Sequence, residues 1–308
     1  MRKLFCFYVV LHLLTLTVLQ VFGLTTESME GQTLPQAPPP PMAHLDRIPL
    51  GTLSEMTDAS RSVGFPSVSW TTPVVTVAFN GGDPELYALI EATASEWTSN
   101  GGRLKFSFRL GDGSFRKWSD SDIARSADLR IGFFTDADRD GYWSTVGTYA
   151  RRVNAGEATM NFGDLGTTLS QYYKGNNHTA WLASYAHTTI LHEFGHAIGL
   201  NHEHFHPSCQ TDLKLAEIVS YLTGPPNNWQ REQAMYNMDA KTYFATVSAK
   251  PSFTPTIDQA SVMLYSFSDD FYKSGRASPC RPSGPLHYAT GLSIEDRHYY
   301  AANYGSDH

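Results

Sequence analysis

The sequence predicts an α/β (α+β) protein whose strands come before a central helix and whose irregular segments come after it. Apolar and polar residues alternate along 104–110 and again along 129–133, which is the two-residue period of half-buried strands. A helical pattern covers 181–199 and ends at a glycine. From there to Ser293, where a last helix begins, the chain is rich in Pro, Asn and Tyr. This order implies two subdomains with a helix between them.

Shorter elements complete the first subdomain. Residues 74–79 form a β-rich run. Asp83 is suited to cap a helix that has Pro84 in its first turn, and we expect this helix to end at the glycine pair 101–102. Residues 158–163 have the pattern of a short strand, which we expect at an edge of the sheet.

The first residues have the pattern of a secretory leader. Two basic residues follow the initiating methionine and an apolar run spans 4–21. The alternative is a retained signal anchor, but two polar residues interrupt the run. We therefore predict a signal peptide at 1–23, a pro segment or linker at 24–65, and one folded domain at 66–308. The processed protein is expected to be secreted and extracellular, with no membrane contact.

Composition narrows the classes of partner. Hydrophobic residues make up 41% of the 308, which is enough to build a core. The net charge is −7 and no long basic block is present. Because nucleic acids and anionic membranes bind clustered Lys and Arg, we expect neither as a partner.

The cysteines support an oxidising compartment. Cys6 leaves with the leader, so Cys209 and Cys280 are available for one disulfide, the alternative being two free buried thiols. Asn177 begins a glycosylation sequon. The acidic run 136–141 resembles the start of a calcium loop, but Gly147 stands where a glutamate ligand is needed, so we interpret the run as a solvated turn.

The segment 192–203 contains the candidate metal-binding and catalytic residues. On a helix that advances about 100° per residue, His192 and His196 lie about 40° apart, so both imidazoles can reach one ion. The opposite face is apolar, with Leu191, Phe194 and Ile198, and can pack against a core. The pattern predicts a helix that directs its histidines into a cleft.

The neighbouring residues fit a catalytic zinc site. Glu193 projects beside the two imidazoles, where it can take a proton from water without being a ligand. Gly199 tolerates positive φ, which lets the chain turn so that His202 returns as a third ligand. Three histidines leave a coordination position open for water, which is typical of catalytic rather than structural zinc. The alternative is a histidine-rich surface tract.

The extended motif, together with the segment 261–265, resembles the metzincin zinc peptidases. Their later methionine turn corresponds to Met263, which the resemblance implies is an apolar floor beneath the metal. A glutamate directly after the third histidine, here Glu203, and a tyrosine two residues after the methionine, here Tyr265, are similar to the astacin-like group. The resemblance implies that Tyr265 stabilises the oxyanion and that Glu203 is a buried salt-bridge partner. Leu264 departs from the histidine common at its position.

The resemblance also implies an architecture and an activity. The fold would be a metzincin-type zincin, with a twisted mixed sheet and two long helices in an N-terminal subdomain. An irregular C-terminal subdomain with a terminal helix would follow, and the active-site cleft would lie between the two. We expect an endopeptidase with one catalytic Zn²⁺, a monomer that acts on protein or peptide substrates, with the substrate pairing with the strand at 160–162. The alternatives are a non-hydrolytic zinc-binding interaction module and a metzincin of another branch.

Overall fold

The computed structural model describes residues 63–99, 101–136, 139–165, 184–225, 227–247, 250–283 and 289–305. They all belong to one compact unit of the chain, Pro39–His308. The expected signal peptide, nearly all of the expected pro segment, Asn177 and the middle of the acidic run lie outside the described residues. Among the described helices, none combines the length and the apolar character that crossing a membrane requires.

The described part of the chain contains a five-stranded mixed sheet. Its strands are β1 (Val74–Phe79), β2 (Lys105–Ser107), β3 (Leu129–Gly132), β4 (Tyr142–Ser144) and β5 (Met160–Phe162). Their spatial order is β2-β1-β3-β5-β4. All pairs are parallel except β4 with β5, which is antiparallel. The predicted mixed sheet is confirmed.

The expected edge position of the 158–163 strand is wrong. β5 lies inside the sheet, because Met160 pairs with Ile131 of β3 on one side and with Ser144 of β4 on the other. The described sheet has β2 at one edge and β4 at the other, and the sequence did not predict β4. Three residues are too few to show a period, and the pairing is set by neighbours elsewhere in the chain.

β3 is buried on both faces rather than on one. Its polar member, Arg130, has no exposed surface and donates to the backbone carbonyls of four residues, Ala127, Val153, Asn154 and Glu157. Burial lowers the pKa of Arg130 to about 10. These four acceptors compensate for the buried guanidinium, so the alternating pattern here does not mark a solvent-facing side.

Two helices pack with the sheet in the main core. α1 (Pro84–Ala94) is capped by the Asp83 carboxylate, which accepts from two backbone N–H groups, as predicted. It ends before the glycine pair, in turns over 95–99. α2 (Tyr185–Ala197) is the predicted motif helix. Indole N–H groups of Trp97 and Trp70 donate to its carbonyls at Leu191 and Ala197, which fixes its position against the core.

The segment after α2 is more helical than predicted. It contains α3 (Pro207–Asp212), α4 (Leu215–Thr223), α5 (Arg231–Met238) and α6 (Ala240–Thr246) before the expected terminal helix α7 (Ile294–Tyr304). Helices of six to nine residues are marginal alone and form here through tertiary contacts, which a local pattern does not show.

The predicted disulfide is present between Cys209 on α3 and Cys280, and it closes a loop of 71 residues. The predicted cap of α7 is also present, with Ser293 and Asp296 bonded reciprocally as a capping box. The disulfide ties two segments that are distant in sequence, whereas the capping box is local to the start of α7.

Candidate metal centre

Three imidazoles converge at the C-terminal half of α2. The Nε2 atoms of His192 and His196 are 3.1 Å apart, and those of His196 and His202 are 3.2 Å apart. One nitrogen from each ring lies within 4.8 Å of the others, and all three residues are buried. The structure therefore brings together the three histidines that the spacing predicted.

The return of His202 depends on a glycine. Gly199 has φ +100°, which is costly for other residues, and a Cβ there would lie 2.7 Å from the Tyr299 hydroxyl oxygen. The Leu200 N–H donates to the Gly195 carbonyl at 3.0 Å, which closes the turn after the helix. This turn directs His202 back over the face that carries the other two rings.

The ring nitrogens facing one another are acceptors. His192 Nδ1 lies 2.8 Å from the Val262 carbonyl oxygen, and His196 Nδ1 lies 2.9 Å from the Leu200 carbonyl oxygen. A carbonyl only accepts, so each Nδ1 carries the proton. Burial lowers the pKa of His192 to about 3 and that of His196 to about 4, so both rings are neutral at pH 7.

Each Nε2 therefore presents a lone pair, and two lone pairs 3.1 Å apart cannot share a hydrogen bond. A cation between them resolves the conflict. Three ligands at about 2.0–2.1 Å from a tetrahedral zinc would have nitrogens about 3.3 Å apart, close to the observed separations. The Nδ1–carbonyl bonds are also the outer contacts that fix the tautomer of a metal-binding histidine. The donor set and its geometry thus fit a metal ion.

Glu193 follows His192 on the same helix and is fully buried. Its backbone position is about 100° around the helix from that histidine, so its role beside the cluster stays a prediction. A carboxylate in a desolvated environment next to a metal has the character of a proton acceptor.

The methionine turn lies against the same helix. Met263 is fully buried, and a Cβ added to Gly195 would be 2.5 Å from its sulfur. Met263 therefore packs against α2 between the two histidines of the helix. The Tyr265 ring centroid is 4.3 Å from that of His202 and 5.9 Å from that of His192, so the tyrosine also belongs to the cluster.

Glu203 is buried, and its carboxyl group accepts from the backbone N–H of Val63 at 3.3 Å and of Asp258 at 2.9 Å; the salt-bridge role that the resemblance implied stays a prediction. Burial raises the pKa of Glu203 to about 8. This side chain therefore holds Val63 and Asp258 beside the third histidine.

Sequence reasoning missed two groups at the site. His204 stacks on Tyr265 with 4.5 Å between ring centroids, and its Nε2–H donates to the Asn237 carbonyl. Asp296 contacts the methionine turn at Ser261 and Val262. The Ser293–Asp296 pair was visible in the sequence, but only as the start of a helix.

Comparison with known proteins gives a structural relative. No protein-family model matches the chain, and no curated protein matches it. A structure of myroilysin matches with 27% identity and a TM-score of 0.57, covering 80% of this chain and all of that one. A crystal structure of myroilysin gives 28% identity, a TM-score of 0.47, and coverage of 78% and 87%. High choriolytic enzyme 1, a hatching enzyme zinc-protease from Oryzias latipes (medaka fish), gives 14%, 0.43, and coverage of 82% and 100%.

The first of these structures has a TM-score above 0.5, and the match covers the whole of that chain. Myroilysin is an astacin-family zinc metalloprotease. The mixed sheet, the motif helix and the three-histidine cluster agree with that relationship. The fold and the three-histidine cluster of this chain therefore support its resemblance to the astacin-like zinc metalloproteases.

Proposed function

We propose that the chain is a zinc-dependent endopeptidase in which His192, His196 and His202 hold one catalytic Zn²⁺. The observation that carries the proposal is the convergence of three buried imidazoles, two of which hold Nδ1 against a backbone carbonyl, an arrangement that leaves the Nε2 lone pair for a metal. When bound, zinc would polarise the scissile carbonyl and lower the pKa of the attacking water toward about 7.

Two residues of the chain would handle the proton and the developing charge. Glu193 takes the proton from the attacking water and later delivers it to the leaving amine. Tyr265 donates its phenol O–H to the carbonyl oxygen as that oxygen becomes negative. The contact of the Tyr265 ring with His202 supports this role, because it holds the tyrosine within the cluster.

The substrate is a protein or peptide that binds in an extended conformation. An extended substrate adds to a sheet at its edge, where backbone N–H and C=O groups are available. β5 is paired on both sides, so it does not serve this purpose. Of the two edge strands, β2 and β4, we propose β4 for substrate pairing, because its Tyr142 contacts Tyr185 of the motif helix α2.

The remaining assignments concern processing. We propose that 1–23 is a signal peptide, that 24–65 is a pro segment or linker, and that 66–308 is the catalytic domain of a secreted monomer. The disulfide between Cys209 and Cys280 supports secretion, because such bonds persist in oxidising compartments.

The discriminating experiment is hydrolysis of casein by the purified mature protein and by Glu193→Gln, each with and without o-phenanthroline. Hydrolysis that is abolished by the chelator and by the substitution, while Glu193→Gln still carries zinc, is the expected result. Glu217→Gln, an exposed change on α4, is the matched control and should retain full activity. If wild type and Glu193→Gln both bind zinc and neither cleaves, the protein is a binding module instead.

A further inference from the structure

A buried carboxylate on the terminal helix is bonded to the methionine turn. Asp296 has no exposed surface. Its Oδ1 accepts from the Ser261 hydroxyl at 2.7 Å, and its Oδ2 accepts from the Val262 N–H at 3.1 Å and from the Ser293 N–H at 3.0 Å. Only the bond from Ser293 N–H belongs to the helix cap. Capping therefore does not explain why the Asp296 carboxylate also accepts from Ser261 and Val262.

The bond to Ser261 continues toward the metal centre. Ser261 Oγ accepts from the Met263 N–H at 3.0 Å. That N–H and the Val262 carbonyl belong to one peptide unit, and the carbonyl accepts from His192 Nδ1–H at 2.8 Å. A continuous series of hydrogen bonds therefore runs from His192 through the 262–263 peptide and the serine hydroxyl to the Asp296 carboxylate.

Every donor in this series points toward the carboxylate. The negative charge polarises the Ser261 hydroxyl, which becomes a better acceptor for the Met263 N–H. Polarisation of that peptide in turn increases the negative charge on the Val262 carbonyl oxygen. Aligned hydrogen bonds strengthen one another in this way, most strongly where water is excluded. The effect at the end of the series is a stronger hold on His192 Nδ1–H and a more basic Nε2.

We propose that Asp296 is a positioning residue for His192, acting through Ser261 and the 262–263 peptide to orient the ring and to raise the affinity of its Nε2 for the metal. Metal-binding histidines commonly donate to a carboxylate directly. Here a serine and a peptide unit are interposed. The inference rests on the proposed zinc site.

Two substitutions interrupt the series at different links. Asp296→Asn keeps the shape, and its amide oxygen can still accept the Val262 and Ser293 N–H groups. Its NH₂ group then faces the serine oxygen, so the hydroxyl no longer donates toward a negative charge. Ser261→Ala removes the middle link and leaves the cap of α7 intact. Glu295→Gln, a change at a partly exposed position on the same helix, is the matched control.

The test is the dissociation constant for zinc, measured on the mature protein by competition with a chromophoric chelator at constant pH. We expect Asp296→Asn and Ser261→Ala each to weaken zinc binding by about 10-fold or more, as changes in outer contacts of a metal site do. The double variant should be no more than about 3-fold weaker than either single variant, because all three interrupt one series. Glu295→Gln should match wild type.

The inference is overturned if both single variants fold and bind zinc within 2-fold of wild type. It is also overturned if the double variant loses affinity by the product of the two single losses. If Asp296→Asn does not fold, Ser261→Ala decides by the same criterion. If wild type binds zinc and the variants bind it equally well, this inference fails but the proposed function stands. If wild type binds no zinc, both the inference and the proposed function fail. The Co²⁺-substituted forms provide a second readout, because a shifted visible spectrum reports a reoriented ligand, which loss of stability alone does not produce.

Discussion

Gly195 lies at the closest contact between the motif helix and the methionine turn, and Gly195→Ala tests that packing. Its φ is not among the positive values, so an alanine fits the local backbone, and helix propensity alone would stabilise the protein by about 1 kcal/mol. The added Cβ, however, would be 2.5 Å from the Met263 sulfur and 3.2 Å from Trp97 Cζ2. Ordinary contacts begin at about 3.5 Å, so the sulfur must move by about 1 Å.

Both neighbours are packed in the main core, so the sulfur can move only within a buried environment. Met263 is fully buried; its N–H is bonded to Ser261 Oγ and its carbonyl accepts from the Glu203 N–H. The Trp97 indole is held by its bond to the Leu191 carbonyl. Overpacking of this kind costs about 1–3 kcal/mol, which outweighs the gain in propensity. We expect a net loss of up to about 2 kcal/mol, or a Tm lower by up to about 8 °C for a domain of this size.

The assay is thermal unfolding in chelator, so that differences in metal affinity do not contribute. Met263→Ala provides the second background, because it removes the atom that the new Cβ would meet. In that background Gly195→Ala should raise Tm, reversing its effect in wild type. A rise in Tm from Gly195→Ala in the wild-type background would refute the packing argument.

Four further outcomes are expected. Tyr265→Phe should lower kcat by about 100-fold with KM nearly unchanged, since oxyanion donors act mainly in the transition state; equal kcat values would exclude that role. Loss of the disulfide in Cys209→Ser should cost up to about 4 kcal/mol of stability in chemical denaturation, given its 71-residue loop. A chain starting at Pro66 should have a clearly lower Tm than one starting at Val63, because the three omitted residues are buried; equal values would show that they add nothing. Burial raises the pKa of Asp296 to about 6, above its unfolded value of about 3.9, so its contribution to the free energy of unfolding is full below pH 4 and is lost as pH rises through 6. Relative to Asp296→Asn, wild type should therefore lose about 2–3 kcal/mol across that window in urea titrations, and a flat difference would contradict it.

The sequence predicts well the features whose determinants are local. The 3.6-residue period and the histidine spacing define α2, and Asp83 with Pro84 defines the start of α1. Gly199 indicates the turn after the helix because few other residues adopt its φ. Each of these features depends on residues within about one or two helical turns of one another.

Features that depend on distant partners were wrong or absent in the sequence analysis. β5 has the composition of an edge strand, and its interior position comes from β4, a three-residue strand with no recognisable period. Arg130 is buried because four carbonyls from other segments surround it. Asp296 shows its cap in the local pattern, whereas its bonds to the methionine turn require the folded chain.

The central claim is that one metal ion is held by three imidazoles beside a carboxylate that is not a ligand. Anomalous diffraction at the zinc edge, from crystals of the zinc-loaded protein, tests it directly. We predict a single peak about 2.0–2.1 Å from the Nε2 atoms of His192, His196 and His202, with Glu193 outside ligand distance. A zinc peak held by other side chains, or no peak among these histidines in a zinc-saturated crystal, would contradict the account.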